Sequence, residues 1–173
     1  MTVRLMGANP GLTLFAGGER TAFASVWRVD WSERGRGNVI VLWHEGATRV
    51  IAQDATLGTW LAGEFTRHFP EVRGLEWPEP EVTEAPVIVE LDLDKGLRAL
   101  AADVIVEIPG PPRARRHVRI ENFDLGGVPH RLTNVYLPCD GGAMTVGGGT
   151  VPAESSTAFL ADAEVWSRPA DET

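Results

Sequence analysis

Residues 21–31, TAFASVWRVDW, alternate with a period of two: Phe23, Ser25, Trp27, Val29 and Trp31 fall on one face, Ala22, Ala24, Val26, Arg28 and Asp30 on the other. That alternation predicts a β-strand. The charges of Arg28 and Asp30 assign the aromatic face to the interior. Residues 38–53, NVIVLWHEGATRVIAQ, read as two strands joined through Glu45-Gly46, where glycine supplies the positive φ of a short hairpin. Val39 to Trp43 are apolar without alternation, the pattern of a strand covered on both faces.

One segment, residues 54–69, reads as a helix. Asp54 is placed to cap it, and Leu57, Trp60, Leu61 and Phe65 recur at intervals of three and four before Pro70. A single apolar stripe needs one surface to lie on, and the doubly covered strand offers it. Residues 70–86, PEVRGLEWPEPEVTEAP, hold four prolines and five glutamates. This stretch is excluded from the centre of a sheet and predicts an extended strap or lid. Beyond it PVIVELDL, LRALAADVIVEI, HVRIENFDL, HRLTNVYL, AMTVGG and TAFLADAEVW are divided by turn clusters rich in glycine and proline. With VRLM and LTLF near the start, the chain holds about ten strands at roughly ten-residue spacing, an antiparallel meander.

The expected fold is mainly β: a single domain over residues 1–173, built as one antiparallel β-barrel of about eight to ten strands with one amphipathic helix, the alternative being a two-sheet β-sandwich. Tryptophans at 27, 31, 43, 60, 77 and 166 supply more aromatic bulk than a narrow sandwich core requires and favour the barrel. In general architecture this resembles the calycin-like barrels, lipocalins and their bacterial relatives, although the early Gly-x-Trp signature is absent.

Composition narrows the partners. With 24 acidic against 16 basic side chains the net charge is −8, opposed to the basic surface that nucleic acid requires. No run approaches the roughly 18 apolar residues of a membrane helix. The first twenty residues, interrupted by Gly7, Asn9, Pro10 and Gly11, lack a secretory leader's apolar run, and there is one cysteine; both agree with a cytoplasmic protein.

The candidate chemistry concentrates in HRLTNVYLPC, residues 130–139. His130 and Cys139 lie about 30 Å apart along an extended strand and on opposite faces, so they form no dyad. Cys139 reads as an inert small residue, with an oxidisable or nucleophilic thiol as the alternative. Arg131 belongs near water, which turns His130, Leu132, Asn134 and Tyr136 inward. Phe23, Trp27, Trp43, His130, Asn134 and Tyr136 are therefore the candidate ligand-binding residues. No catalytic residue is assigned. Asp162 and Glu164, sharing a face with Leu160 and Trp166, read as solvated carboxylates; turned inward instead, one becomes a general-acid candidate through burial. His44, His68, His117 and His130 show no metal spacing, and DGGAMTVGGGT lacks the lysine and helix of a phosphate loop, so neither metal nor nucleotide cofactor is expected. The basic stretch RARRHVR reads as a solvated loop, or as a seat for an anionic ligand tail.

Three functions fit these features. The first is binding of a small, largely apolar molecule inside the barrel. The second is a cofactor-independent isomerase or cyclase working in the same cavity. The third is an interaction domain with a filled core.

Overall fold

The alternation of residues 21–31 extends into β3 (Glu19–Ser32), whose first half pairs with β2 (Gly11–Ala16) and second half with β1 (Thr2–Ala8) in a computed structural model that describes residues 1–169. On the other side β14 (Ser155–Arg168) pairs with the same two strands. β1 and β2 are thus one strand line interrupted at Asn9-Pro10, where proline has no N–H to give to a ladder.

From this line the larger sheet runs one way through β3, β4 (Gly37–His44) and β5 (Ala47–Ala52) to a parallel edge strand, β6 (Glu81–Glu84). The other way it runs through β14 and β11 (Val128–Cys139) to β10 (Arg116–Leu125). The second sheet holds β7 (Val87–Asp92), β8 (Gly96–Ala101), β9 (Val104–Pro109), β12 (Ala143–Val146) and β13 (Gly149–Thr150). The fold is mainly β with two sheets, an arrangement that fits a sandwich as well as a barrel. LRALAADVIVEI is not one strand but a hairpin, β8–β9, turning at Ala102, which adopts φ +50°. The expected hairpin at Glu45-Gly46 is present, both residues having positive φ.

The middle of the larger sheet is buried on both sides. Ile40 and Leu42 of β4 enter a core shared with Val87, Ala99, Val106 and Ile108 of the second sheet. Their neighbours Val39, Val41 and Trp43 enter another core with Leu57, Leu61 and Phe65. The unalternating run is thus a doubly covered strand, each residue type serving one of two apolar faces.

The helix over the second face, α1 (Ala55–Glu64), starts where expected: Asp54 Oδ1 accepts from Leu57 N at 3.1 Å. It ends sooner. Phe65 leaves helical geometry and the chain continues in short 3₁₀ turns at Thr66–His68 and Pro70–Val72. α1 approaches β5 closely through Gly58, where a Cβ would stand 2.7 Å from both Ala52 Cβ and Val50 Cγ1. Trp60 is only partly buried, beneath the Arg4 guanidinium at 5.3 Å, so it is not the anchor its spacing suggests.

Trp31 also departs from its expected inward place: it is 48% exposed. Met6 pairs with Trp31 but Gly7 with Val29, so β3 carries one extra residue there. Such a bulge turns Trp31 away from the face of Val29. The strap beyond Pro70 is irregular for most of its length and is tied down by polar contacts. Arg20 Nη1 donates to Glu71 O (3.0 Å), Trp43 Nε1 to Glu76 O (3.2 Å) and Thr48 Oγ1 to Pro78 O (2.6 Å). No helix of the described residues is long and apolar enough to cross a membrane.

Candidate functional site

A cleft of about 310 Å³ opens between β10, β11 and β14 and is overhung by Phe69, Pro70 and Glu71 at the start of the strap. β11 presents Leu132, Asn134 and Tyr136 to it. Its alternate residues Val135, Leu137 and Cys139 go into the core between the sheets, so the two faces of HRLTNVYLPC divide as the period of two requires. On β10 the register slips between Ile120 and Phe123, opposite Leu132 and His130, and this brings Ile120 and Phe123 to one wall despite their odd spacing.

β14 is where the periodic reading fails. Thr133 pairs with Val165 and Val135 with Asp162, so two steps along β11 match three along β14. Ala163 at the bulge has φ +48°, rare for a residue with a side chain. The faces exchange across it: Leu160 packs between the sheets, whereas Trp166 packs on the helix side and lines the cleft together with Phe159 and Glu164. Asp162 stays near the surface, bonded to Arg28 Nη2 at 2.7 Å. Glu164, read from spacing as a solvated carboxylate, is instead 3% exposed.

Its two oxygens are held separately. Trp166 Nε1 donates to Oε1 at 2.6 Å and Asn134 Nδ2 to Oε2 at 3.1 Å. These bonds favour the ionised form, but burial outweighs them. Helped by the neighbouring charges of Asp162 and Glu71, it pushes the Glu164 carboxyl up to about 7. Burial likewise raises the Glu71 carboxyl, which reaches the cleft from the strap, and the Tyr136 hydroxyl. Asn134 Oδ1 is closed to solvent and meets no hydrogen-bond donor, a condition that ordinarily costs about 1–3 kcal/mol. The rest of the wall is mostly apolar, with Asn9 at the strand break and the exposed Arg116 on β10 as further polar members.

Of the six residues expected to bind a ligand, Asn134 and Tyr136 line this cleft; Phe23, Trp27, Trp43 and His130 do not. The reason is the helix. Phe23, Trp27 and Trp43 lie on the expected face, but α1 and its following turn fill the space before them: Phe65 packs on Trp27 at 5.8 Å and Phe69 at 6.0 Å. His130, 1% exposed, faces Phe65 and Trp166 and is committed to a polar tie at the edge of that core. Arg4 Nη1 lies 2.8 Å from His130 Nε2 and can only donate, so Nε2 accepts and Nδ1–H donates to Val128 O at 3.0 Å. Burial favours this neutral imidazole. Cys139 is buried at the end of β11, its thiol pushed up by burial, as suits an inert residue. Among the described residues no group of three His, Cys, Asp or Glu is arranged to hold a metal ion.

Periodicity offers Glu164 as a buried acid only as the alternative to a solvated carboxylate, and it points to none of Trp166, Phe159, Asn9 or the overhang at Phe69 to Glu71 as members of a site. For Glu164 no local signal exists, because alanine is not a residue type that announces a bulge. No family model, no curated protein and no solved structure matches the chain. The functional reading therefore rests on the chemistry of the cleft.

Proposed function

We propose that the chain is an enzyme that isomerises or cyclises a small, largely apolar substrate in this cleft, with Glu164 taking a proton from the substrate and returning it at another position. The larger sheet serves as a barrel-like wall whose interior is partly filled by α1, leaving the cleft beside β10 and β11 as the remaining lumen. The observation carrying the reading is a carboxyl buried among aromatic side chains and poised near neutral pH, where the ionised base and the protonated acid are both populated.

Simple binding of an apolar molecule does not account for that group. Burying an ionisable carboxyl is unfavourable, and a glutamine would meet Trp166 and Asn134 without the cost of a charge. An interaction domain with a filled core does not account for the cleft. In the proposed cycle the Glu164 carboxylate accepts a proton as electrons shift within the substrate, and the resulting carboxylic acid gives it back. No group is transferred. Phe159, Trp166 and Phe123 hold the substrate in a folded shape, which favours ring closure or double-bond movement by orientation.

A probe reaction tests the proton transfer. 5-Nitrobenzisoxazole loses its ring C–H proton to a carboxylate in apolar surroundings and opens to a coloured phenol. The protein should accelerate this saturably, with a rate that rises as pH passes through about 7, and Glu164→Gln should lower the rate at least about tenfold. Equal rates for the two proteins, or none above buffer, would remove Glu164 from the chemistry.

A further inference from the structure

The second sheet covers only part of the larger one. Its core takes Val26 from β3, Val135 from β11 and Leu160 from β14. By alternation the same face of the larger sheet continues beyond that cover through Arg28 on β3 and through Thr133 and Arg131 on β11. Past the bulges it continues through Trp31 and Val165, whose neighbours Val29 and Trp166 belong to the helix side. Met6, next to the buried Leu5, pairs with Trp31 on one side and Val165 on the other, and Val165 pairs with Thr133. Trp31, Met6, Val165 and Thr133 therefore form one row across four strands. Trp31 and Met6 are 48% and 44% exposed, which leaves a largely apolar row open on a sheet face.

The two flanks of the row are charged in opposite balance. Toward β3, Arg28 is shared by two carboxylates, Asp30 at 3.2 Å and Asp162 at 2.7 Å. Toward β10, Glu121 is shared by two guanidinium groups, those of Arg119 and Arg131. That flank also holds a shallow hollow of about 400 Å³, lined by His117, Arg119, Thr133 and Val135 beside the Ala163 bulge. A face with a standing tryptophan and excess acid on one flank, and a hollow and excess base on the other, is complementary to itself. We propose that two copies of this chain pair through this face about a two-fold axis that runs along β14. The axis lays the β3 flank of each copy over the β10 flank of the other. Trp31 then enters the other copy's hollow against the Arg119 guanidinium, Asp30 faces the same guanidinium, and Met6 and Val165 fill the centre. Glu164 and Trp166 lie on the opposite face of β14, so both clefts stay open. Few side chains take part, so the dissociation constant should be on the order of 10 µM, and at about 1 µM the chain is monomeric.

Sedimentation velocity of the full chain between about 1 and 200 µM tests the pairing. The wild-type protein should pass from monomer to dimer across this range, and Trp31→Ala should weaken the dimer at least about tenfold. Asp30→Lys and Arg119→Glu should each weaken it by a similar factor, because either one sets like charges together at both ends of the two-fold pair. Mixed in equal amounts, these two variants should form a heterodimer of about wild-type affinity, since every contact again joins opposite charges. A wild-type chain that stays monomeric at about 200 µM would overturn the proposal and leave the face to another partner. A dimer that Trp31→Ala leaves unchanged would overturn it too, as would single charge variants that dissociate and do not recover on mixing. All three positions are exposed, so circular dichroism of the variants should match that of the wild-type protein, and the wild-type titration stands even if one of them fails to fold.

Discussion

Replacing Trp27 with alanine should lower the free energy of unfolding by about 3–5 kcal/mol, more than it alters binding of any apolar probe. Trp27 has no exposed surface, packs against Phe65 and Phe69, and donates through Nε1 to Thr66 Oγ1 at 3.1 Å. Thr66 in turn lies 3.3 Å from Ser25 Oγ, which accepts from Asn9 Nδ2, so truncation opens a cavity and disturbs a buried polar chain. Trp31, four residues along the same strand, should behave differently. Half-exposed beyond the bulge, it should cost only about 0.5 kcal/mol when replaced by alanine. Chemical denaturation of the two variants at one pH checks the contrast; equal losses would contradict the bulge that separates their faces.

Glu164 should make stability depend on pH in the direction opposite to that of an ion-paired carboxylate. Its carboxyl titrates near the ordinary value of 4.5 in the unfolded chain and at about 7 in the folded one. Below the lower value both states are protonated. Between the two, the folded protein keeps a proton that the unfolded chain has lost, so the free energy of unfolding falls as pH rises. Above about 7 both are ionised and the slope vanishes. The expected loss, relative to Glu164→Gln, is about 3 kcal/mol between pH 4.5 and 8, taking 1.36 kcal/mol for each pKa unit. Other carboxylates are common to both proteins and cancel in the difference. A difference that stays flat across this window would mean that folding leaves the carboxyl's titration unchanged, so that burial does not raise it.

The elements read from local pattern were those whose signals are local. Val39 to Trp43 announced two covered faces, Asp54 a helix cap, Glu45-Gly46 a hairpin, and the parity of Leu132, Asn134 and Tyr136 a common wall. The helix was legible, yet its consequence was not: that Phe65 and Phe69 would occupy the space before Phe23, Trp27 and Trp43 follows from tertiary packing alone. Three strands then break the period of two, at Asp30, between Ile120 and Phe123, and at Ala163, and each break moves a side chain to the opposite face. A one-residue slip inverts every assignment beyond it. Glu164 lies just past one such slip, and its partner Asn134 is 30 positions away in sequence, joined to it only by strand pairing.

The protonation of Glu164 can be observed directly. In protein labelled with ¹³C at the glutamate side-chain carboxyls, one resonance should titrate near pH 7, be missing from Glu164→Gln, and shift when an apolar probe enters the cleft. Titration of every glutamate carboxyl in the ordinary range near pH 4 to 5, with none responding to the probe, would contradict a proton-transfer site at Glu164.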